Sequence, residues 1–176
     1  MRILFVFALL LGRGWGQTQC ACDPAQPETM SARQCSLCAE AEKHDSEPVF
    51  FLKDTSPRKP NRWLVLPRKH LAANHPLEEM TLAERTELWT AAIQKAKELW
   101  GDDWGLAYNG PKVRTQCHTH IHIGKLLKGV EEGKVIVVSG PAQIPKPDGD
   151  GLWIHPVGSR LHVHLGEQTC ETVLLR

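Results

Sequence analysis

Neither sign of charge is in surplus in this chain: 21 lysines and arginines stand against 20 aspartates and glutamates, for a net charge of +1. That balance excludes nucleic acid as a wrapped partner and a polybasic membrane anchor, since both need an excess of cations. Aromatic residues are scarce at 6%, with a single tyrosine. Long hydrophobic runs are missing too. The longest, Ile3 to Gly12, has ten residues, whereas a membrane-spanning helix needs roughly 20. Internal repeats and low-complexity segments are also absent. An apolar content of 41% over 176 residues suits one folded core and excludes a disordered chain.

What is present in quantity is histidine and cysteine, nine and six residues, with six tryptophans beside them. That load points to metal or histidine chemistry. Met1-Arg2, the apolar run and Gly14-Trp15-Gly16 have the three-part form of a secretory signal peptide, residues 1–16, cut after Gly16. The expectation is a secreted or periplasmic protein with no transmembrane helix once the signal is removed. In an oxidising compartment the cluster Cys20, Cys22, Cys35 and Cys38 defaults to disulfides, in one of three pairings. The alternative is a thiolate metal site with Cys35 and Cys38 as its C-x-x-C half. Cys170 can pair with Cys117, far away in the sequence.

Residues 17–34 read as a polar N-terminal arm. The runs Val49 to Leu52 and Trp63 to Leu66 flank a Pro-Arg-Lys-Pro-Asn turn and predict a hairpin. Thr81-Leu82-Ala83-Glu84 is a capping-box pattern opening a helix. Leu88, Trp89, Ala92, Ile93, Ala96, Leu99 and Trp100 then recur on one face, before a stop at Gly101. Further strands are expected at Gly105 to Tyr108, at Val135 to Val138, around Trp153 and from Arg160 to Leu165. The fold class is α+β, a mainly antiparallel sheet with one long helix and a short C-terminal β extension over residues 131–176.

Cys117 to Gly124 alternates strictly. On a strand this places His118, His120 and His122 on one face. Chance exposure explains three such residues poorly. A three-imidazole metal centre has the right ligands, but alternate residues lie about 6–7 Å apart along a strand and converge on one ion with difficulty. Nucleophilic catalysis is the third reading: one imidazole attacks phosphorus while its neighbours orient it. Asn109, Lys112, Arg114, Thr115 and Gln116 precede the histidines with donors suited to a phosphoanhydride. No carboxylate lies between Asn109 and Lys128.

The segment His118-Thr119-His120-Ile121-His122-Ile123 resembles the H-x-H-x-H-x signature of the histidine triad superfamily. Leu64-Val65-Leu66-Pro67-Arg68-Lys69-His70 is similar to that family's strand ending in a histidine, and Asn109-Gly110 to its substrate-facing turn. The resemblance covers residues 35–130 as a catalytic domain. Phe51 to Asp54 and Arg114-Thr115-Gln116 resemble the CDP-diacylglycerol pyrophosphatase branch more narrowly. The resemblance implies His120 as nucleophile, forming a nucleotidyl-histidine, with His118 and His122 orienting it. Asn109, Arg114, Thr115 and Gln116 would bind the phosphate. It implies CDP-diacylglycerol, cleaved to CMP and phosphatidate, as substrate, with a soluble dinucleotide or nucleoside phosphoramidate as the alternative within the class. No cofactor takes part in that chemistry. It also implies a structural zinc on Cys35, Cys38, His70 and His118, leaving Cys20 and Cys22 unassigned, and a homodimer of the kind the family often forms. Arg62 departs from the family, many of whose members have histidine there.

His155, His162 and His164 can line the cleft, bind a metal with Glu167, or be the polar residues of a solvated strand face; the last is the expectation. A rival of another class is an exported metal-binding protein without catalysis.

Overall fold

The computed structural model describes residues 19–70, 77–130 and 134–176; the expected signal peptide lies outside them. The arm holds one short helix, α1 (Pro27–Met30), and a second, α2 (Ser36–Ala41), follows just beyond it. Strands β1 (Val49–Lys53) and β2 (Trp63–Pro67) form the expected hairpin, with Val49 opposite Pro67 and Lys53 opposite Trp63. The long helix α3 (Leu82–Trp100) follows, then β3 (Trp104–Tyr108), β4 (Ile121–Lys125), β5 (Val135–Val138), β6 (Gly151–Val157) and β7 (Arg160–Glu167). All seven strands join one antiparallel sheet in the order β1-β2-β4-β3-β6-β7-β5. The chain is therefore α+β. Its C-terminal strands continue the sheet past β3.

Helix α3 starts where its capping box sets it. The Thr81 hydroxyl accepts from the Glu84 amide at 3.3 Å, and the Glu84 carboxylate accepts from the Thr81 amide at 2.7 Å. Two amide donors that a helix start leaves unpaired are thereby satisfied. Gly101 ends it at φ +60°, a left-handed conformation that glycine adopts without a Cβ penalty. Leu88, Trp89, Ala92, Ile93 and Ala96 are buried against one face of the sheet, among Val65, Leu106, Ile121, Ile123, Ile154 and Val163.

Alternation sends the neighbouring residues to the opposite face. There, one row crosses four strands: His122 is paired with Ala107, Ala107 with Trp153, and Trp153 with His164. The C-terminal segment lies over this face as a strap, containing a 3-10 turn at Cys170–Val173. A Cβ on Gly105 would come within 2.5 Å of the Leu174 side chain, and one on Gly124 within 3.2 Å of Leu174 Cβ. Only glycine lets the strap lie this close. Its backbone is held by Leu127 N donating to Val173 O and Leu175 N to Lys125 O.

Candidate active site

The expected strand of histidines is shorter than the alternation suggests. Strand β4 begins at Ile121, so His118 and His120 both precede it, and His118 does not stay beside His120 and His122. The cause lies one residue earlier. Cys117 is bonded to Cys20, with Cα atoms 5.6 Å apart, and its amide donates to Gln34 O, which holds the chain in a bend. His118 turns toward β2, where its Nε2 donates to Pro67 O at 2.6 Å and its ring meets that of His70 edge-on at 4.9 Å.

His120 and His122 stay together, ring centroids 5.0 Å apart and nearly perpendicular, each 6% exposed. His120 Nδ1 lies 2.8 Å from His118 O. A carbonyl only accepts, so Nδ1 carries the proton and Nε2 keeps its lone pair. Burial lowers the His120 pKa, and the Arg114 and Lys59 charges add to that against the opposing His118 carbonyl and Glu171. Burial likewise holds His122 well below the ordinary imidazole value, helped by His120, Lys59 and Arg62. Both rings are neutral near pH 7.

Three residues outside the sequence-based set complete the surroundings: Lys59, Arg62 and Glu171. Arg62, 1% exposed, donates to the carbonyls of Glu171, Leu174 and Leu175, at 2.6–2.8 Å. The residue at this position is thus the clamp of the strap. Glu171 pairs with Lys59 and, at 3.4 Å, with Arg62, and its Oε2 lies 3.7 Å from His122 Nδ1. Burial opposes its charge, but Lys59, Arg62 and Asn109 outweigh burial and hold its carboxyl below the usual range. Arg114, Lys59 and Arg62 against Glu171 leave positive charge around the two rings. In the sequence Lys59 belonged only to a turn before β2, Arg62 stood out only as a departure from the resemblance, and Glu171 gave no signal.

The expected phosphate donors diverge. Asn109 is buried, and its Oδ1 accepts from Glu171 N at 3.0 Å. Arg114 is buried beside Tyr108, donating to its hydroxyl at 3.1 Å. Thr115 is exposed. Gln116 is engaged by the arm, accepting from Ser36 Oγ and donating to Arg33 O, each at 3.0 Å.

The cysteines correct the expected four-ligand set. Cys35 is bonded to Cys22, Cα atoms 5.5 Å apart, because the arm folds back on itself; it offers no thiolate. Cys117 pairs with Cys20, so Cys170 is not its partner; Cys38 and Cys170 are buried free thiols. The remaining three, Cys38, His70 and His118, place ligand atoms within 4.8 Å of one another. That donor set fits a metal ion. Burial pushes the Cys38 thiol up to about 11, so binding would release its proton. Glu42 meets His70 Nε2 at 2.7 Å.

Elsewhere, a largely apolar hollow of about 980 Å³ lies between β1 and α3, lined by Val49, Leu82, Thr86, Thr90 and Ala142. It is on the helix side of the sheet, away from His120. Among the described residues no helix is long and apolar enough to cross a membrane. Compared with known proteins, the chain matches no family model and no curated sequence.

Proposed function

We propose that the chain is an exported histidine-triad phosphohydrolase, cleaving the phosphoanhydride or a related ester of a nucleotide through a nucleotidyl-histidine on His120. The observation that carries this reading is the bond from His120 Nδ1 to the His118 carbonyl. It fixes the tautomer with a nucleophilic Nε2, in a neutral ring, inside a pocket of positive charge. Such a nitrogen attacks an α-phosphorus without first losing a proton. An Nε2–P bond forms as the bond from phosphorus to the leaving oxygen breaks, and the leaving phosphate departs as an anion. Water then attacks the same phosphorus, releasing the nucleotide monophosphate, a proton and free His120. Arg114 balances the charge that gathers on the non-bridging oxygens. His118 acts through its backbone as a positioning residue, and His122 packs against the nucleophile. Asn109 would meet phosphate through its Nδ2, the one side-chain donor it has, while its Oδ1 accepts from the Glu171 amide, and the exposed Thr115 would add a hydroxyl donor.

CDP-diacylglycerol, giving CMP and phosphatidate, is the substrate that the branch resemblance selects. The hollow beside α3 is separate from His120, so the acyl chains would stay in a membrane and the site would receive the headgroup. Zinc is the metal assigned to Cys38, His70 and His118, with a structural role; none of the steps above uses it.

A non-catalytic metal-binding protein is the second reading, drawn from that same Cys/His group. One assay separates the two. The mature chain and its His120→Ala variant are incubated with CDP-diacylglycerol, an ADP-linked ester and adenosine phosphoramidate. CMP release that the variant loses supports enzyme and branch together. Turnover of the adenosine compounds alone keeps the mechanism and discards the lipid substrate. A folded, zinc-loaded protein inert toward all three overturns the enzyme reading.

A further inference from the structure

The second group of histidines is not a solvated strand face. His155 and His164 are each 3% exposed, on the β6–β7 hairpin and on the same sheet face as His122. Their Nε2 atoms point at each other across 3.3 Å. Trp153 stacks on His164 with centroids 3.5 Å apart and planes 4° from parallel, and on His155 at 5.4 Å. The indole thus fixes both ring planes. His162 is paired with His155 in register, is half-buried, and brings its ring edge-on to His155 at 5.3 Å.

We propose that His155, His164 and His162 form a second, imidazole-only site for zinc or a neighbouring divalent transition metal. Two nitrogens bound tetrahedrally to one ion at about 2.0–2.1 Å lie roughly 3.3–3.4 Å apart. The two buried rings already have that spacing. Imidazole without thiolate or carboxylate suits zinc, copper and nickel. The half-buried His162 supplies the third ligand by side-chain rotation, which leaves a fourth position for water or an external ligand. In the apo protein one Nε2–H donates to the other Nε2, and that bond is what the ion replaces.

This site lies two to three strands from His122, about 10–14 Å at the usual strand spacing, and stands whether or not His120 is a nucleophile. The test is cobalt(II) titration of the disulfide-intact chain carrying Cys38→Ser, which removes the thiolate from the other group. The expected result is one tetrahedral cobalt per chain, with visible d–d bands and no thiolate charge-transfer band, displaced by zinc. His155→Gln abolishes it. His162→Gln, a half-buried change that leaves the hairpin folded, weakens it by about tenfold or more, at least the loss typical of outer-shell partners. His120→Ala binds as the parent does. The absence of tetrahedral cobalt in the Cys38→Ser chain, a thiolate band, or unchanged affinity in His162→Gln and His155→Gln would each overturn the assignment. Circular dichroism of both variants keeps a folding failure from counting as a lost ligand.

Discussion

At the scale of single residues, two side chains divide the work near the candidate nucleophile. His120 is held by a backbone carbonyl, so its orientation does not depend on another ionisable group. Removing it should lower turnover by about 10³-fold or more, as loss of a nucleophile does elsewhere, with circular dichroism unchanged. Arg62 does structural work: it satisfies three carbonyls of the strap from a buried position. Arg62→Ala leaves those acceptors and Glu171 short of partners, and should cost about 3 kcal/mol or more in urea unfolding. Its neighbour gives a pH dependence. Because the Glu171 carboxyl is held below its ordinary value, its stabilising effect is complete above that value and is lost as pH falls through the folded-state pKa. Glu171→Gln should flatten the acid side of the stability profile and lower stability at pH 7. An unchanged profile would mean the cluster contributes nothing.

At the scale of elements, what was legible was local. The α3 start could be read from Thr81 and Glu84 because capping needs only residues three apart, and the β1–β2 hairpin from two apolar runs around a turn. Thr81→Ala should cost about 1 kcal/mol. Glu84, bonded to Lys69 and to Thr81, has its pKa lowered from 4.5 to about 2. Its contribution should therefore fade between those two pH values in the parent and be missing in Glu84→Gln, as read by thermal melts across pH. The His118 strand was misread for the opposite reason. Period-two alternation from Cys117 onward is genuine in the sequence, yet a disulfide to Cys20 and a backbone bond to Gln34 bend the chain before β4 begins. Long-range constraint overrode a local pattern.

At the scale of the whole molecule, the sheet separates two functions of the sequence. One face holds the α3 core; the other carries His122, Trp153 and His164 in one row, with the strap packed on Trp153. The α+β class and most strands followed from patterning, but the joining of 131–176 to the same sheet did not. Strand order and cysteine pairing depend on contacts across the chain that no spacing rule fixes. The Cys20–Cys117 bond spans 97 residues and Cys22–Cys35 spans 13. In the chain-entropy picture these stabilise the fold by about 4.7 and about 3 kcal/mol. Reduction should therefore lower the melting temperature sharply and loosen the arm from the loop before His118. Two disulfides also suit an oxidising compartment, in keeping with the export proposed above.

The central claim is a covalent one, and the most direct measurement is the intermediate itself. The mature chain is mixed with a turned-over nucleotide substrate, quenched in alkali within the first turnovers, digested and examined by mass spectrometry. The account predicts a nucleotide monophosphate adduct on the peptide bearing His120, on its Nε2, and none in His120→Ala. Steady turnover with the adduct on another residue, or turnover undiminished in His120→Ala, would contradict it.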